Sequence, residues 1–164
     1  MQIQRLLVFL SLLISTTVFA SGQAGKGTLG FGGAAELFSG GKASAGLGLN
    51  GLGIYGLNDV FSTGVFIGYH PFNTQGYRVD MGASLAATMP GTPVYLKLLQ
   101  LAAYHDGGTS GVSTVGYGLG GALGLSVPQA GYLHINPEFF YKAYFGSTPI
   151  TSVVGLAVNY LIDF

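Results

Sequence analysis

Apolar and polar residues alternate along most of this chain, and the pattern is clearest in residues 150–164. Every second residue there, from Ile150 through Tyr160 to Phe164, is apolar except Ser152. The residues between them are more polar and include Asn159. A period of two places successive side chains on opposite faces of a β-strand. The segment therefore predicts a strand with one apolar face.

Seven earlier segments have a similar alternation. With the last one, they cover about 26–38, 43–57, 61–70, 77–88, 94–105, 113–126, 132–144 and 150–164. The residues between segments favour turns, since they are rich in Gly, Pro, Asn and Asp. Each segment can supply the roughly 9–11 residues of a tilted membrane strand. Because lipid cannot hydrogen-bond to backbone groups, such strands must close into a ring. The sequence predicts an all-β fold, an eight-stranded antiparallel transmembrane β-barrel with an up-and-down meander topology.

Two segments interrupt the alternation. In the second, Leu52 and Ile54 fall on the polar face, and in the fifth, Lys97 and Gln100 fall on opposite faces. An extra residue in one strand would restore the pattern, so we expect a bulge or a register slip in each.

Aromatic residues lie near the segment ends, where the two membrane–water interfaces would be. One predicted girdle contains Tyr55, Phe61, Tyr95, Tyr132, Tyr160 and Phe164. The other contains Phe38, Tyr69, Tyr77, Tyr104, Tyr144 and Phe145.

Residues 1–20 have the layout of a secretory signal peptide. Arg5 precedes an apolar run over 6–14, and Val18-Phe19-Ala20 resembles a cleavage site. We expect cleavage near Ala20, leaving 21–164 as an outer-membrane β-barrel in a Gram-negative bacterium. The chain has no Cys, which excludes lipoprotein attachment and disulfides.

Composition fits a wall that faces lipid. Charged residues make up 7% of the chain, against about 25% in ordinary soluble domains, while 49% are hydrophobic. After cleavage, five basic residues would face six acidic ones, so no nucleic-acid partner is expected.

At the level of architecture the chain resembles the small eight-stranded outer-membrane barrels of the OmpX and OmpA membrane-domain class. The local motif that carries the resemblance is the terminal pattern of Val158, Tyr160, Ile162 and Phe164. The resemblance implies that this β-signal is the contact with the barrel-assembly machinery and that outer-membrane lipid surrounds the barrel. A fainter likeness, around 135–145, is to the uncharacterised YfaZ-type exported proteins.

Two Gly-rich patterns allow other interpretations. GxGxxG occurs four times, but a dinucleotide fold needs it between a strand and a helix, and no helix is indicated. The spacing of Gly116, Gly120 and Gly124 is compatible with packed membrane helices, although the period of two in the same segment favours a strand.

Several polar residues fall on the inward faces of the predicted strands. They are Arg78, Asp80, Lys97, Glu138, Lys142, His134 and Asn136. Desolvated charges need partners, so we expect a polar network in the lumen, either a structural plug or a selectivity site. The sixth segment has mostly Gly on its inward face and the seventh is bulky, which suits a filled eight-strand interior.

No catalytic, metal or cofactor site is predicted. His70 and His105 are expected at the extracellular rim and His134 near the periplasmic rim, without metal-ligand spacing. His134 has no Ser in its own segment; Ser84 and Ser126 lie on other strands.

The sequence thus favours a non-enzymatic barrel with a structural role or a narrow passive pore. A surface-binding or adhesion barrel that uses the rim loops 70–76 and 105–111 is one alternative. A lipid-modifying barrel enzyme is another. The sequence identifies no soluble partner.

Overall fold

The computed structural model describes residues 24–40, 45–72, 76–108, 112–130 and 132–164. The predicted signal peptide lies outside these ranges. Nine strands occur in them: β1 (Gly27–Ser39), β2 (Ala45–Gly56), β3 (Phe61–Pro71), β4 (Tyr77–Thr88), β5 (Val94–Asp106), β6 (Thr114–Leu125), β7 (Val127–Ala130), β8 (Leu133–Gly146) and β9 (Ser152–Asp163). None of the described residues forms a helix of the length and apolar character needed to cross a membrane.

All pairings are antiparallel, and they close a ring. Each of β1 to β5 pairs with the next strand, β6 pairs with β8, β8 with β9, and β9 returns to β1. β7 continues the register of β6 on β8, since Gly124 faces Glu138 and Val127 faces Ile135, and the register shifts only between Pro128 and Ala130. They therefore form a single barrel strand with a break at Ser126. The predicted eight-stranded antiparallel barrel is confirmed.

The barrel has two distinguishable ends. We call the end at which β1 begins and β9 ends the lower end, and the end that carries the turns after β1, β3, β5 and β8 the upper end. At the lower end, the Asn58 side-chain Oδ1 accepts hydrogen bonds from the backbone N–H groups of Val60 and Phe61, each at 2.9 Å, which fixes the turn before β3. At the upper end, Gly76 has φ +92°, and a Cβ there would lie 2.0 Å from the carbonyl oxygen of Asp106. Only Gly fits that turn.

The predicted alternation describes the wall well. Large apolar side chains cover the outside, including Leu29, Phe31, Leu47, Ile67, Leu98, Leu119, Phe139 and Leu156. The residues between them point inward. Ile150 is an exception, since it was expected on the apolar outer face and is instead buried in the upper core.

Both predicted bulges are wrong. The β1–β2 register runs without a break from Gly27 opposite Tyr55 to Leu37 opposite Ala45, so Leu52 and Ile54 point into the lumen. The β4–β5 and β5–β6 registers are also continuous, which puts Gln100 on the outer face. An unbroken ladder keeps every backbone hydrogen bond in the wall, and this outweighs the local mismatch of side chains.

The predicted girdles are partly wrong. Tyr95 and Tyr144 are buried in the interior, and Phe38 packs against the interior ring of Phe72 at 5.2 Å. The other predicted girdle residues that the structure describes lie on the outer face. At the upper end, Tyr77 contacts Tyr69 and Tyr104 on its two neighbouring strands, with ring centroids 5.7 Å and 6.1 Å apart.

Candidate functional site

A buried ionic cluster in the upper half of the lumen is centred on Arg78. Arg78 and Asp80 lie two residues apart on β4 and so share the inward face. The guanidinium donates from Nη2 to Glu36 Oε2 at 2.8 Å and from Nε to Asp80 Oδ1 at 3.0 Å. Glu36 comes from β1, so these bonds connect separate parts of the wall. Arg78 and Asp80 are 0% exposed, and Glu36 is 2% exposed.

Lys142 and Tyr144 of β8 complete the cluster. Lys142 Nζ donates to Asp80 Oδ2 at 2.9 Å and lies 3.8 Å from Glu36 Oε1. The Tyr144 hydroxyl donates to the same Asp80 oxygen at 2.8 Å. Two carboxylates thus face one guanidinium and one ammonium, so their formal charges cancel. Charge balance is what allows ions to remain in an interior without water.

His70 of β3 fills the space between the two carboxylates. Its Nδ1 lies 2.9 Å from Glu36 Oε2 and its Nε2 lies 3.5 Å from Asp80 Oδ2, although neither contact has hydrogen-bond geometry. Glycines make room for the ring. A Cβ at Gly48 would lie 2.3 Å from His70 Nδ1, and one at Gly68 would lie 2.6 Å from His70 Nε2.

Aromatic rings enclose the guanidinium. The Arg78 Cζ lies 5.3 Å from the ring centroids of Phe38 and Tyr144 and 5.9 Å from that of Phe72. Arg78 Nη1 has no hydrogen-bond partner in the described part of the chain. Cation–π contacts with these rings compensate for the missing partner.

An apolar core packs around this ionic cluster. It includes Leu99, Leu101, Ala103, Phe140, Ile150 and Val153. Glycines on the facing strands accept these side chains: a Cβ at Gly118 would lie 2.7 Å from Leu101, and one at Gly155 would lie 2.6 Å from Phe140. Small residues opposite large ones therefore fill the upper half of the lumen.

A second ion pair lies in the lower half. Lys97 of β5 donates from Nζ to Glu138 Oε1 of β8, and the Tyr95 hydroxyl donates to the same oxygen at 2.6 Å. All three side chains are buried. Asn136 is buried beside them, and its Oδ1 has no hydrogen-bond partner among the described residues.

The lower pair borders a cavity of about 150 Å³. Its walls mix ions and hydroxyls with apolar side chains; they include Lys26, Ser62, Thr88, Lys97, Ser126, His134 and Glu138, with Leu52, Ile54 and Leu161 on the apolar side. At its mouth, Asp163 accepts a hydrogen bond from Thr28 Oγ1 at 2.7 Å and lies 2.9 Å from His134 Nε2. The cavity lies at the lower end, since the ends of β1 and β9 form part of its lining.

The structure places all seven of the predicted lumen residues inside the barrel, but in separate groups. Arg78, Asp80 and Lys142 belong to the upper cluster; Lys97, Glu138 and Asn136 lie lower; and His134 is at the mouth. Among the described residues, no hydrogen bond or ion pair joins the two ion clusters. The buried charges thus form two separate ion clusters, one above the other in the lumen.

Sequence reasoning missed four important members of these clusters. His70 was expected at the rim and is 0% exposed, Glu36 was placed near the outer rim, and Tyr95 and Tyr144 were assigned to girdles. The alternation already put His70 and Tyr144 on inward faces, and that signal could have identified them.

The described residues contain neither a metal-binding group nor a hydroxyl paired with His134. No group of three or more His, Asp or Glu with the geometry of a metal site occurs within the described ranges. The Nδ1 of His134 has no hydrogen-bond partner there, so no hydroxyl is positioned to pass a proton to it.

The last strand forms the closing seam of the barrel. Val158, Tyr160, Ile162 and Phe164 all face outward, and the Tyr160 ring stacks on Phe31 of β1 with centroids 5.7 Å apart. Phe164 N–H donates to Gly27 O at 2.9 Å, and Gly27 N–H donates back to Phe164 O at 3.2 Å. Phe164 thus takes part in closure of the ring.

Solved structures with the same fold are known, although the sequences are distant. Neisserial surface protein A is 20% identical with a TM-score of 0.68, and the alignment covers 90% of this chain and 100% of that one. Ail, the attachment invasion locus protein of Yersinia pestis, in complex with the heparin analogue sucrose octasulfate, is 13% identical with a TM-score of 0.61 over 87% and 100% of the two chains. The outer membrane protein OprG from Pseudomonas aeruginosa is 12% identical with a TM-score of 0.56 over 88% and 98%.

No protein-family model and no curated protein sequence matches this chain significantly. The structural likenesses confirm that the chain has the fold of the small eight-stranded outer-membrane barrels. At these identities they establish the fold alone. The fainter likeness to YfaZ-type proteins stays a prediction.

Proposed function

We propose that this protein is a non-enzymatic outer-membrane barrel with a structural role in the membrane, and that its lumen is sealed in the upper half. The observation that carries the proposal is the buried Arg78 cluster. A side chain in contact with a continuous water path would retain some accessible surface, yet Arg78, His70 and Asp80 retain none. The charges are neutralised by each other and not left available to a passing ion.

The apolar residues beside the cluster support the same conclusion. Leu101 and Val153 fill the lumen next to the ions, and Gly118 and Gly155 have no space left over their backbones. A solute entering from the lower end would reach the 150 Å³ cavity and stop below this layer. The narrow passive pore is therefore the weaker of the two predicted roles.

Conductance across a planar bilayer separates the sealed barrel from the pore. Purified protein should be inserted, and its incorporation verified by the heat-dependent gel shift of protein recovered from the membrane. The sealed barrel predicts no discrete conductance steps. Reproducible single-channel steps from the wild-type protein would establish the pore instead.

The surroundings of His134 support a non-enzymatic role. Its one ion-pair partner in the described structure is Asp163, and no nucleophile lies within hydrogen-bond distance of its ring. Purified barrel incubated with outer-membrane lipid should leave the lipid mass spectrum unchanged. A new lipid species that depends on active protein would favour the lipid-modifying alternative.

Binding of a sulfated ligand at the upper end receives no support from the described residues. Ail has been crystallised with a heparin analogue, and such a ligand needs accessible cations. Among the described residues near the upper end, Arg78 and Lys142 are buried in ion pairs. The turns there are also short, with five to seven residues between strands.

We also propose that β9 is the segment that the barrel-assembly machinery recognises, and that outer-membrane lipid is the main partner of the wall. The proposal is supported by the outward direction of Val158, Tyr160, Ile162 and Phe164. Removing Phe164 should reduce assembly in cells more than refolding in detergent. Equal loss in both would instead mean that Phe164 acts only through the closing seam.

A further inference from the structure

Gln100 places an amide on the lipid face at the middle of β5. It is the seventh of the 13 residues in this strand, and its side chain is exposed. Its neighbours Leu99 and Leu101 point into the barrel and are buried. The usual arrangement of a membrane barrel, with apolar residues outside, is reversed at this point.

The direction of Gln100 is fixed by the rest of the strand. Lys97 points inward to its partner Glu138, and β5 pairs without interruption with Ala83 of β4 and Leu119 of β6 at the level of Gln100. A shift by one residue would bring Gln100 inside but would move Lys97 into the lipid. β5 therefore cannot move the Gln100 amide into the lumen without exposing the Lys97 ammonium to lipid.

The amide has no partner within the described chain. Its side chain makes no hydrogen bond or ring contact with any described residue. The backbone groups beside it are used in the two ladders. Lipid tails supply neither donors nor acceptors, and Gln is too short to reach the interface from mid-membrane. An unpaired amide is costly there, so an external partner would stabilise it.

On the outer face Gln100 has large neighbours, Leu98 on β5 and Leu119 directly across on β6, and also small ones. Ala83 lies directly across on β4, Ala102 follows on β5, and Gly121 of β6 faces Leu98. Small side chains allow another backbone to approach closely in a membrane. The small residues therefore leave room for another chain to approach the Gln100 amide.

We propose that two copies of this chain pack through the outer face of β4, β5 and β6, with their Gln100 side chains hydrogen-bonded to each other. An amide carries both a donor and an acceptor, so two amides related by a two-fold axis satisfy one another. Both copies insert in the same orientation, which sets that axis along the membrane normal. Each residue then meets its own counterpart at the same depth. The inference rests on the proposed membrane location.

Because the chain has no Cys, single cysteines give clean cross-linking sites. Leu98→Cys keeps Gln100 and puts a thiol next to it on the same face. Leu29→Cys is the matched control, since Leu29 is similarly exposed on β1, the strand opposite β5 in the ring. Outer membranes that contain either variant are treated with a short bis-maleimide and separated by denaturing electrophoresis. Unheated samples from the same membranes report whether each barrel is folded.

We expect a covalent dimer from Leu98→Cys and only background from Leu29→Cys. Adding Gln100→Leu to Leu98→Cys should lower the dimer yield about 3- to 20-fold, the range measured for hydrogen bonds between membrane segments. Equal dimer from the two single variants, or no effect of Gln100→Leu in folded barrels, would overturn the proposal. A Leu98→Cys adduct with a different protein would overturn it as well. Absence of a folded band would instead count against the membrane barrel itself.

Discussion

The Arg78 guanidinium and the Glu36 carboxylate, 42 residues apart in the chain, are joined by a 2.8 Å hydrogen bond inside the barrel. The bond connects β4 with β1 across the lumen, and Asp80, Lys142 and His70 share the same buried space. The wall is held by backbone ladders, whereas this cluster joins strands that are not neighbours. It therefore supplies stability that the ladders alone do not.

Arg78→Leu should lower the free energy of unfolding by about 3 kcal/mol, because two buried carboxylates would lose a partner. Lys142 and Tyr144 would still contact Asp80, which keeps the loss from being larger. Urea unfolding of the barrel in lipid vesicles measures the change. Arg78→Lys is the control, because it keeps the positive charge but loses the several N–H donors of the guanidinium. Its free energy of unfolding should fall between those of wild type and Arg78→Leu. Wild-type stability in Arg78→Leu would show that the cluster contributes nothing.

Lys97→Met should lower the free energy of unfolding by about 1–2 kcal/mol, which is less than the loss expected for Arg78→Leu. Its partner Glu138 would keep the Tyr95 hydrogen bond and borders the lower cavity, where water can reach it. The same unfolding experiment ranks the two variants. A larger loss for Lys97→Met than for Arg78→Leu would mean that the lower half, and not the upper half, contains the drier interior.

Gly48→Ala should destabilise the barrel by about 1–3 kcal/mol, because the new methyl group would overlap the buried His70 ring. Gly33→Ala is the matched control: it adds the same methyl group on the lipid face, where the nearest atom is 3.7 Å away. We expect wild-type stability or slightly more for this control. Combining Gly48→Ala with His70→Ala should recover part of the loss if overlap is the cause. Similar stabilities for the two glycine variants would argue against a filled lumen.

Gly118→Leu tests the packing beside Leu101. A Cβ at Gly118 would already lie 2.7 Å from Leu101, so a full Leu side chain should prevent folding or lower the temperature at which the folded gel band disappears. Gly121→Leu on the same strand adds its side chain to the outer face and not to the lumen, so the folded gel band should be retained. If Gly118→Leu retains the wild-type heat stability, the lumen at this level is open.

Alternation was enough to predict the wall, but not the residues that depart from it. The alternation predicts bulges at Leu52, Ile54 and Gln100, because each of these residues breaks the pattern of its segment. In the structure the ladders are unbroken, so Leu52 and Ile54 point into the lumen and Gln100 points outward. Two of them line a cavity, and the third carries the proposed dimer contact.

The alternation predicted which side chains of the two ion clusters point into the lumen. It did not predict how far along the barrel axis each of them lies. Arg78, Asp80 and Lys142 were assigned to the interior from the period of two, and that is where they lie. Their partners Glu36 and His70 lie near the ends of their sequence segments, and this position alone predicts the rim and not the buried middle of the lumen. Depth inside a barrel also depends on the stagger between strands, which appears only once the ring is closed.

Heat-dependent gel migration of the outer-membrane fraction tests the central claim most directly, because it reports membrane location and ring closure together. Cells that produce the wild-type protein are fractionated, and each fraction is run with and without boiling. The account predicts a faster band in unheated outer membranes that converts to a slower band near the full unfolded size on boiling. Protein recovered in the soluble periplasmic fraction, or a membrane band whose migration is unchanged by boiling, would contradict it.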